Sequence, residues 1–556
     1  MTDHEAGIQG NGRPRGGLVT ALLCSLPALV LGAVLLVPFR DKAFTIDDTL
    51  FLRQAEHALS DPLHPTAFEM VWFEKVERLS SLMPSGPVMA YLLVPAVARG
   101  GAEALGHLVV FVCLALGVLA TVRLALRVGL SREQAALAGL LVVTAPAVLG
   151  MAGTCMPDVP AMALGVLGME RLWAWREGRR LDQALCAAVL LALAALCRSH
   201  LSLLLGAATL VCAGDEVFDW RRWLRRDLAP WRRLVREAWP IGLALFLAWC
   251  VTRLCRDPLP DAASLAGSAW RFITLRKLNR HLLSYALGWA MSMPLVLPWL
   301  LVRRTRMRWS LIWQAAPVAV MLFSLAGEVR WMWLTPLAVA AVVVVADIFE
   351  RAWRERDLVG LACGAWLLLP LPVLIYNNFA PKYLVPSAPA VALLVAGLLG
   401  RVPRRWGRAL GIGTACAGAL VGVLILRADA AFAGFQRRAV AELIAPEVAR
   451  GHRVWIAGHW GYQWYAERAG ARYLATMADA RPGDLLVIDR QADSERTLRG
   501  IPWYSRRLVR WIADSTPGGR IISRAAGAGF YSNGYGFFPW AWSDDELDRF
   551  EVWVME

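Results

Sequence analysis

Charge is what this chain has least of. Only 19% of its 556 residues are Asp, Glu, Lys or Arg, against about 25% in a soluble globular domain. With 57% apolar residues and a mean hydropathy of +0.46, there is too little polar surface to cover a water-soluble core of this length. The same figures exclude a disordered chain, a collagen and a small disulfide scaffold. Metal-type cysteine spacing is missing as well. The ten cysteines form no CxxC pair and no Cys/His cluster, and all lie in or beside apolar runs. They read as small packing residues, not as a disulfide framework or a zinc site. No P-loop, internal repeat or low-complexity tract occurs. The class that remains is a polytopic α-helical membrane protein.

The charge that is present is unevenly placed. Residues 428–556 carry 16 Arg against 16 Asp and Glu, so the whole net charge of +15 lies in residues 1–427. There the basic residues sit in short clusters between apolar runs, which argues against a nucleic-acid surface. The first run, Gly17 to Phe39, is longer than a signal-peptide core and precedes many others. Further runs fall near 105–126, 133–151, 159–176, 184–197, 201–214, 239–254, 283–302, 310–326, 331–348, 358–376, 383–400 and 409–427, giving about thirteen expected spans. Every second connection is rich in Arg: 123–132, 171–180, 220–233, 303–308, 351–356 and 401–408. Such loops are cytoplasmic. The expected organisation is a cytoplasmic N-terminus (1–16), a membrane module (17–427) and an extracytoplasmic domain (428–556). In the last, 453–458, 484–489, 520–523 and 550–555 read as strands, and 460–468 and 503–512 as helices, a small α/β domain folding as its own unit.

Two outer loops gather acid. Residues 40–104 form a long connection that opens with Asp47 and Asp48, followed by Phe51, Ala55 and Leu59 at helical spacing. The second holds Met156-Pro157-Asp158-Val159-Pro160, and Asp158 is the only acidic residue between 134 and 169. All three aspartates have a plain reading as helix caps. They also have a chemical one, because a carboxylate at the lip of a membrane bundle is costly unless it meets water, a cation or substrate.

The order of these motifs resembles the GT-C glycosyltransferases, in the branch similar to protein mannosyltransferases and aminoarabinose transferases. In that family an acidic pair follows the first span, with an aromatic and an alanine at fixed offsets. Asp47, Asp48, Phe51 and Ala55 match, with Asp in place of the usual Glu. The proline-tyrosine stretch at 83–93 has two separated prolines, Pro84 and Pro87, where an adjacent pair is more usual. Residues 156–162 match a second acidic motif, while 330–336 and 382–389 match basic-aromatic openings of late spans. The resemblance covers roughly residues 17–400.

What it implies is transfer of a sugar from a polyprenyl-phosphate donor to an acceptor hydroxyl at the outer face of a bacterial inner or plasma membrane. The acceptor, a glycan, lipid or protein, is unspecified. Asp47 takes the place of the general base. Asp48 and Asp158 would orient acceptor or sugar, or hold a divalent metal ion. The leaving lipid phosphate calls for cations, for which Arg198, His200, Arg330 and Lys382 are the candidates; Arg276, Lys277, Arg280 and His281 form a further basic stretch suited to lipid headgroups. Two other classes compete. A transporter or flippase would share the many spans but should place its site at midplane. An inactive scaffold could use the aromatic run 529–542 to bind a partner.

Overall fold

The computed structural model describes residues 17–72, 75–82, 86–219, 221, 228–258, 273–303, 310–474, 479–491 and 505–556. The N-terminal arginines, much of the Arg-rich stretches 220–233 and 303–308, and Met83 to Ser85 lie outside them. Among the described residues, eight helices are long and apolar enough to cross a membrane. The number is up to ten if each of two bent pairs, Arg132–Thr144 with Pro146–Ala152 and Leu278–Met291 with Val296–Arg303, is one span. The chain is therefore a multi-pass integral membrane protein. Thirteen spans were expected; the difference lies in helices that are short, such as Leu181–Cys197 and Ile312–Leu325, or interrupted by charge. Asp158–Gly178 is of the second kind, with Glu170 and Arg171 in its C-terminal half.

The bundle has two unlike ends. At one, Glu170 is buried and gathers Arg123 (3.2 Å), Arg127 (3.3 Å) and Arg171 (2.5 Å). At the other, the same helix begins with Asp158, the run 181–213 breaks at an extended Arg198, and the first helix, Leu18–Leu36, hands over to the long loop.

Residues 428–556 do not begin at a linker. The 36-residue helix Arg404–Ala439 runs straight through the expected boundary. Beyond it a five-stranded mixed sheet has the order Arg472–Tyr473, Val454–Ala457, Leu485–Asp489, Arg549–Met555, Arg506–Ala513. The first three strands are parallel, with helix Trp460–Arg468 crossing between two of them, and the last two are antiparallel. The expected helix over 503–512 is the edge strand Arg506–Ala513, because pairing with Arg549–Met555 outweighs any local preference of the segment. Nor is this region separately packed. Phe435 of the long helix meets Phe550 (centroids 5.4 Å apart), and Phe44 of the outer loop meets Trp464 (6.1 Å) within one continuous core.

Candidate active site

Residues 42–46 are buried, and residues beyond 428 hold them. The Phe44 N–H donates to Tyr465 Oη (2.9 Å), and Thr45 Oγ1 donates to Gln436 Oε1 (3.0 Å). Gly461 lies so close to the Phe44 carbonyl that a Cβ there would collide with it. Ile46 then takes φ +50°, a left-handed conformation costing a β-branched residue about 1–3 kcal/mol. That kink immediately precedes the two aspartates.

Asp47 occupies the N-cap position of helix Asp48–Ser60 yet makes no capping bond. Its carboxylate lines a cavity of about 1400 Å³ and accepts a 2.7 Å hydrogen bond from Lys382 Nζ. The Asp47 side chain is 32% exposed, that of Lys382 4%. Asp48 points the other way and is fully buried. Its Oδ2 accepts the Thr45 N–H (3.2 Å) and its Oδ1 the Cys155 N–H (2.8 Å). Burial pushes its carboxyl up to about 7, against the pull of the Lys42 ammonium and the two N–H donors.

Asp158 is buried too. Its Oδ2 accepts from Arg198 Nη2 at 2.7 Å, and it is Arg198, not Asp158, that reaches the cavity. Around the Tyr383 ring stand Arg198 (guanidinium carbon 5.5 Å from the centroid), Lys382 (Nζ 5.7 Å) and His200 (ring centroids 5.8 Å apart). All four line the cavity. The Tyr383 ring thus gathers two cations and an imidazole at the cavity, with Asp47 beside Lys382, a site for an anion next to a carboxylate.

Much of the remaining wall belongs to residues beyond 428: Arg490, Arg524, Tyr531, Tyr535, Asp545 and Glu546. Its loop is stitched to the segment before Lys382. Asn378 Nδ2 donates to the Tyr531 carbonyl (3.3 Å), Ser532 Oγ to Asn378 Oδ1 (2.9 Å), and the Asn533 N–H to the Phe379 carbonyl (3.0 Å). A third side is basic, with Arg276, Lys277 and Arg280. Lys277 Nζ bonds both oxygens of Asn377 (3.0 and 2.8 Å), Arg280 pairs with Glu328 (2.6 Å), and His281 is buried on the Leu374 carbonyl.

The structure thus brings Asp47, Arg198, His200 and Lys382 together and sets three candidates apart. Asp48 and Asp158 do not face the cavity, because backbone amides claim one and Arg198 the other. Arg330 is not among the lining residues; it donates to the Arg524 carbonyl (2.8 Å) and lies over Trp331. Asp47 and Asp158 are each neutralised by a cation, and among the described residues no three His, Cys, Asp or Glu side chains converge. Missed in the sequence were Tyr383, the wall beyond 428, and a sealed pair below the site: Lys42 Nζ to Asp429 Oδ2, 2.8 Å, with both side chains at most 1% exposed. A signal existed for that pair, since Asp429 is the only acid in Arg404–Ala439.

No protein-family model matches the sequence, and no curated protein matches it significantly. The fold does have relatives. The crystal structure of ArnT from Cupriavidus metallidurans in the apo state superposes with a TM-score of 0.50 at 14% identity, covering 88% of this chain and 95% of that one. The same protein bound to undecaprenyl phosphate gives 0.48 at 14% identity, over 89% and 97%. The cryo-EM structure of arabinofuranosyltransferase AftD from Mycobacteria gives 0.36 at 15% identity, over 97% of this chain and 40% of that one. The fold observed is that of the ArnT structure, in keeping with the fold that the motif resemblance implies.

Proposed function

We propose that the protein is a membrane glycosyltransferase that moves a sugar from a polyprenyl-phosphate donor to an acceptor hydroxyl at the extracytoplasmic face. One observation carries the reading. A partly exposed carboxylate, Asp47, lies beside the buried cations Lys382 and Arg198 at one end of a large cavity. A sugar phosphate needs both: a base for the attacking hydroxyl and cations for the departing phosphate.

The chemistry balances without a further reactant. The acceptor oxygen attacks the anomeric carbon and gives its proton to an oxygen of Asp47. The bond from that carbon to the phosphate oxygen breaks, and the electron pair leaves with the polyprenyl phosphate. Lys382 and Arg198 take up the developing charge in a site of low dielectric. In the resting pair Lys382 holds Asp47; an arriving phosphate competes for the ammonium and leaves the carboxylate free to act as base. Asp158 serves by holding Arg198 in place. Arg330 has no part in these steps.

The outer placement is supported by the two ends of the bundle. The Arg cluster around Glu170 and the arginines that open Arg404–Ala439 stand at the ends opposite Asp158 and Asp429, as the bias of basic residues toward the cytoplasm requires. Residues beyond 428, forming one wall, are then extracytoplasmic and take the acceptor side. The test is to incubate membranes carrying the wild type or Asp47→Asn with a panel of labelled polyprenyl-phosphate sugars. Label should leave the polyprenyl-phosphate donor, for whatever acceptor, only with the wild type. Equal transfer by both proteins overturns the assignment of the base, and transfer from no donor overturns the reaction.

A further inference from the structure

Asp48 never touches the cavity, yet each of its oxygens accepts a backbone N–H from a different part of the chain. The Thr45 amide lies on the segment that delivers Asp47. The Cys155 amide lies three residues before Asp158, the carboxylate that holds Arg198. Between Thr45 and Asp47 sits the left-handed Ile46, so the bond from Thr45 to Asp48 spans the kink that aims Asp47 at the cavity. A backbone conformation this unfavourable persists only where surrounding bonds over-determine it.

Resting on the glycosyltransferase reading, we infer that Asp48 is a positioning residue: a two-armed staple that locks the segment of the base to the segment of the phosphate-binding arginine. The distance between proton acceptor and anion site is set from below, by a side chain no substrate reaches. Nearby Lys42 is itself paired with Asp429, and His107 Nε2 meets the Lys42 carbonyl at 2.9 Å. This arrangement also explains why two adjacent aspartates are needed where the chemistry uses one.

Asp48→Asn separates this role from others. The amide keeps the shape but leaves one acceptor oxygen for two N–H groups, and Lys42 with Asp429 remain a balanced pair, so the variant should fold. If it accumulates poorly, the same change is made with Ile46→Gly, which relaxes the left-handed position. The first readout needs no substrate: amide hydrogen exchange in nanodiscs for peptides covering 43–47 and 153–157. Both should exchange at least tenfold faster in Asp48→Asn, in parallel, while peptides around 388–399 are unchanged. The second is kinetics with a labelled polyprenyl-phosphate sugar, in which kcat should fall about 10- to 100-fold with the donor KM within twofold. Unchanged exchange at 153–157, or a raised KM with normal exchange, overturns the staple; the latter would mean that Asp48 meets substrate. If the wild type transfers no sugar, the proposed function fails while the exchange measurement still decides the staple.

Discussion

Two lysine–aspartate pairs sit one above the other in this protein and serve opposite ends. Lys382–Asp47, at 2.7 Å, opens onto the cavity, with Asp47 32% exposed; Lys42–Asp429, at 2.8 Å, is sealed between the outer loop and the long helix. The bond is the same and the solvent differs. An ion pair with water on one side can exchange partners cheaply, which is what the proposed function asks of Lys382 and Asp47. A pair without water cannot be opened without stranding a charge, so Lys42 and Asp429 fix geometry.

The comparison can be broken at several points. The largest effect is expected at the open pair. Asp47→Asn should lower the transfer rate roughly a hundredfold to ten-thousandfold, with the protein's melting temperature in detergent little changed. A variant with near-normal turnover would mean that the open pair is not catalytic. The sealed pair should show the reverse. Lys42→Met or Asp429→Asn strands one buried charge and should cost about 3–5 kcal/mol of stability, read by thermal unfolding. Lys42→Met combined with Asp429→Leu should recover most of that loss. Single variants as stable as wild type would show that the two pairs do not differ in kind.

A smaller effect is expected from pH. The Asp48 carboxyl is raised from 3.8 to about 7, chiefly by burial, so the folded state holds its proton more tightly than the unfolded chain. The stability this group contributes is therefore present in full below pH 4 and is lost as the pH rises through about 7. Asp48→Asn should flatten this component of a melting-temperature profile between pH 4 and 8; an unaltered slope would assign it to other groups. The smallest effect is reserved for Arg330. With its side chain 53% exposed and outside the cavity wall, Arg330→Ala should leave transfer within about twofold of wild type. A tenfold loss would bring Arg330 back into the site.

Much of this was legible in the residues and some was not. Apolar runs are a local signal, and they marked most of the membrane helices at whose ends Asp47, Arg198 and Lys382 lie. The division between Asp47 and Asp48 was hidden, because it depends on distant partners, Lys382 for the first and an amide 107 positions away for the second. Asp158 was misjudged for a related reason. An acid at the start of a helix looks the same in sequence whether it faces a cavity or clamps an arginine. The strand Arg506–Ala513 needed its partner, Arg549–Met555, to exist at all. A quieter clue went unread. Lysine is rare here, with only four among 59 basic residues, and two of the four make the pairs compared above.

The helix Arg404–Ala439 also acts as a measuring rod. Its 36 residues extend about 54 Å at 1.5 Å per residue, whereas the hydrocarbon core of a bilayer is only about 30 Å thick. A helix of that length exceeds what a bilayer core requires, and its far part brings Asp429 to Lys42. The meeting of that pair is thus tied to helix length, and a rigid rod leaves little room for adjustment. Deleting four residues between 410 and 424 would lower everything beyond by about 6 Å and turn it by about 40°. Asp429 would then face away from Lys42, and the wall that closes the cavity would be brought down out of register with the base.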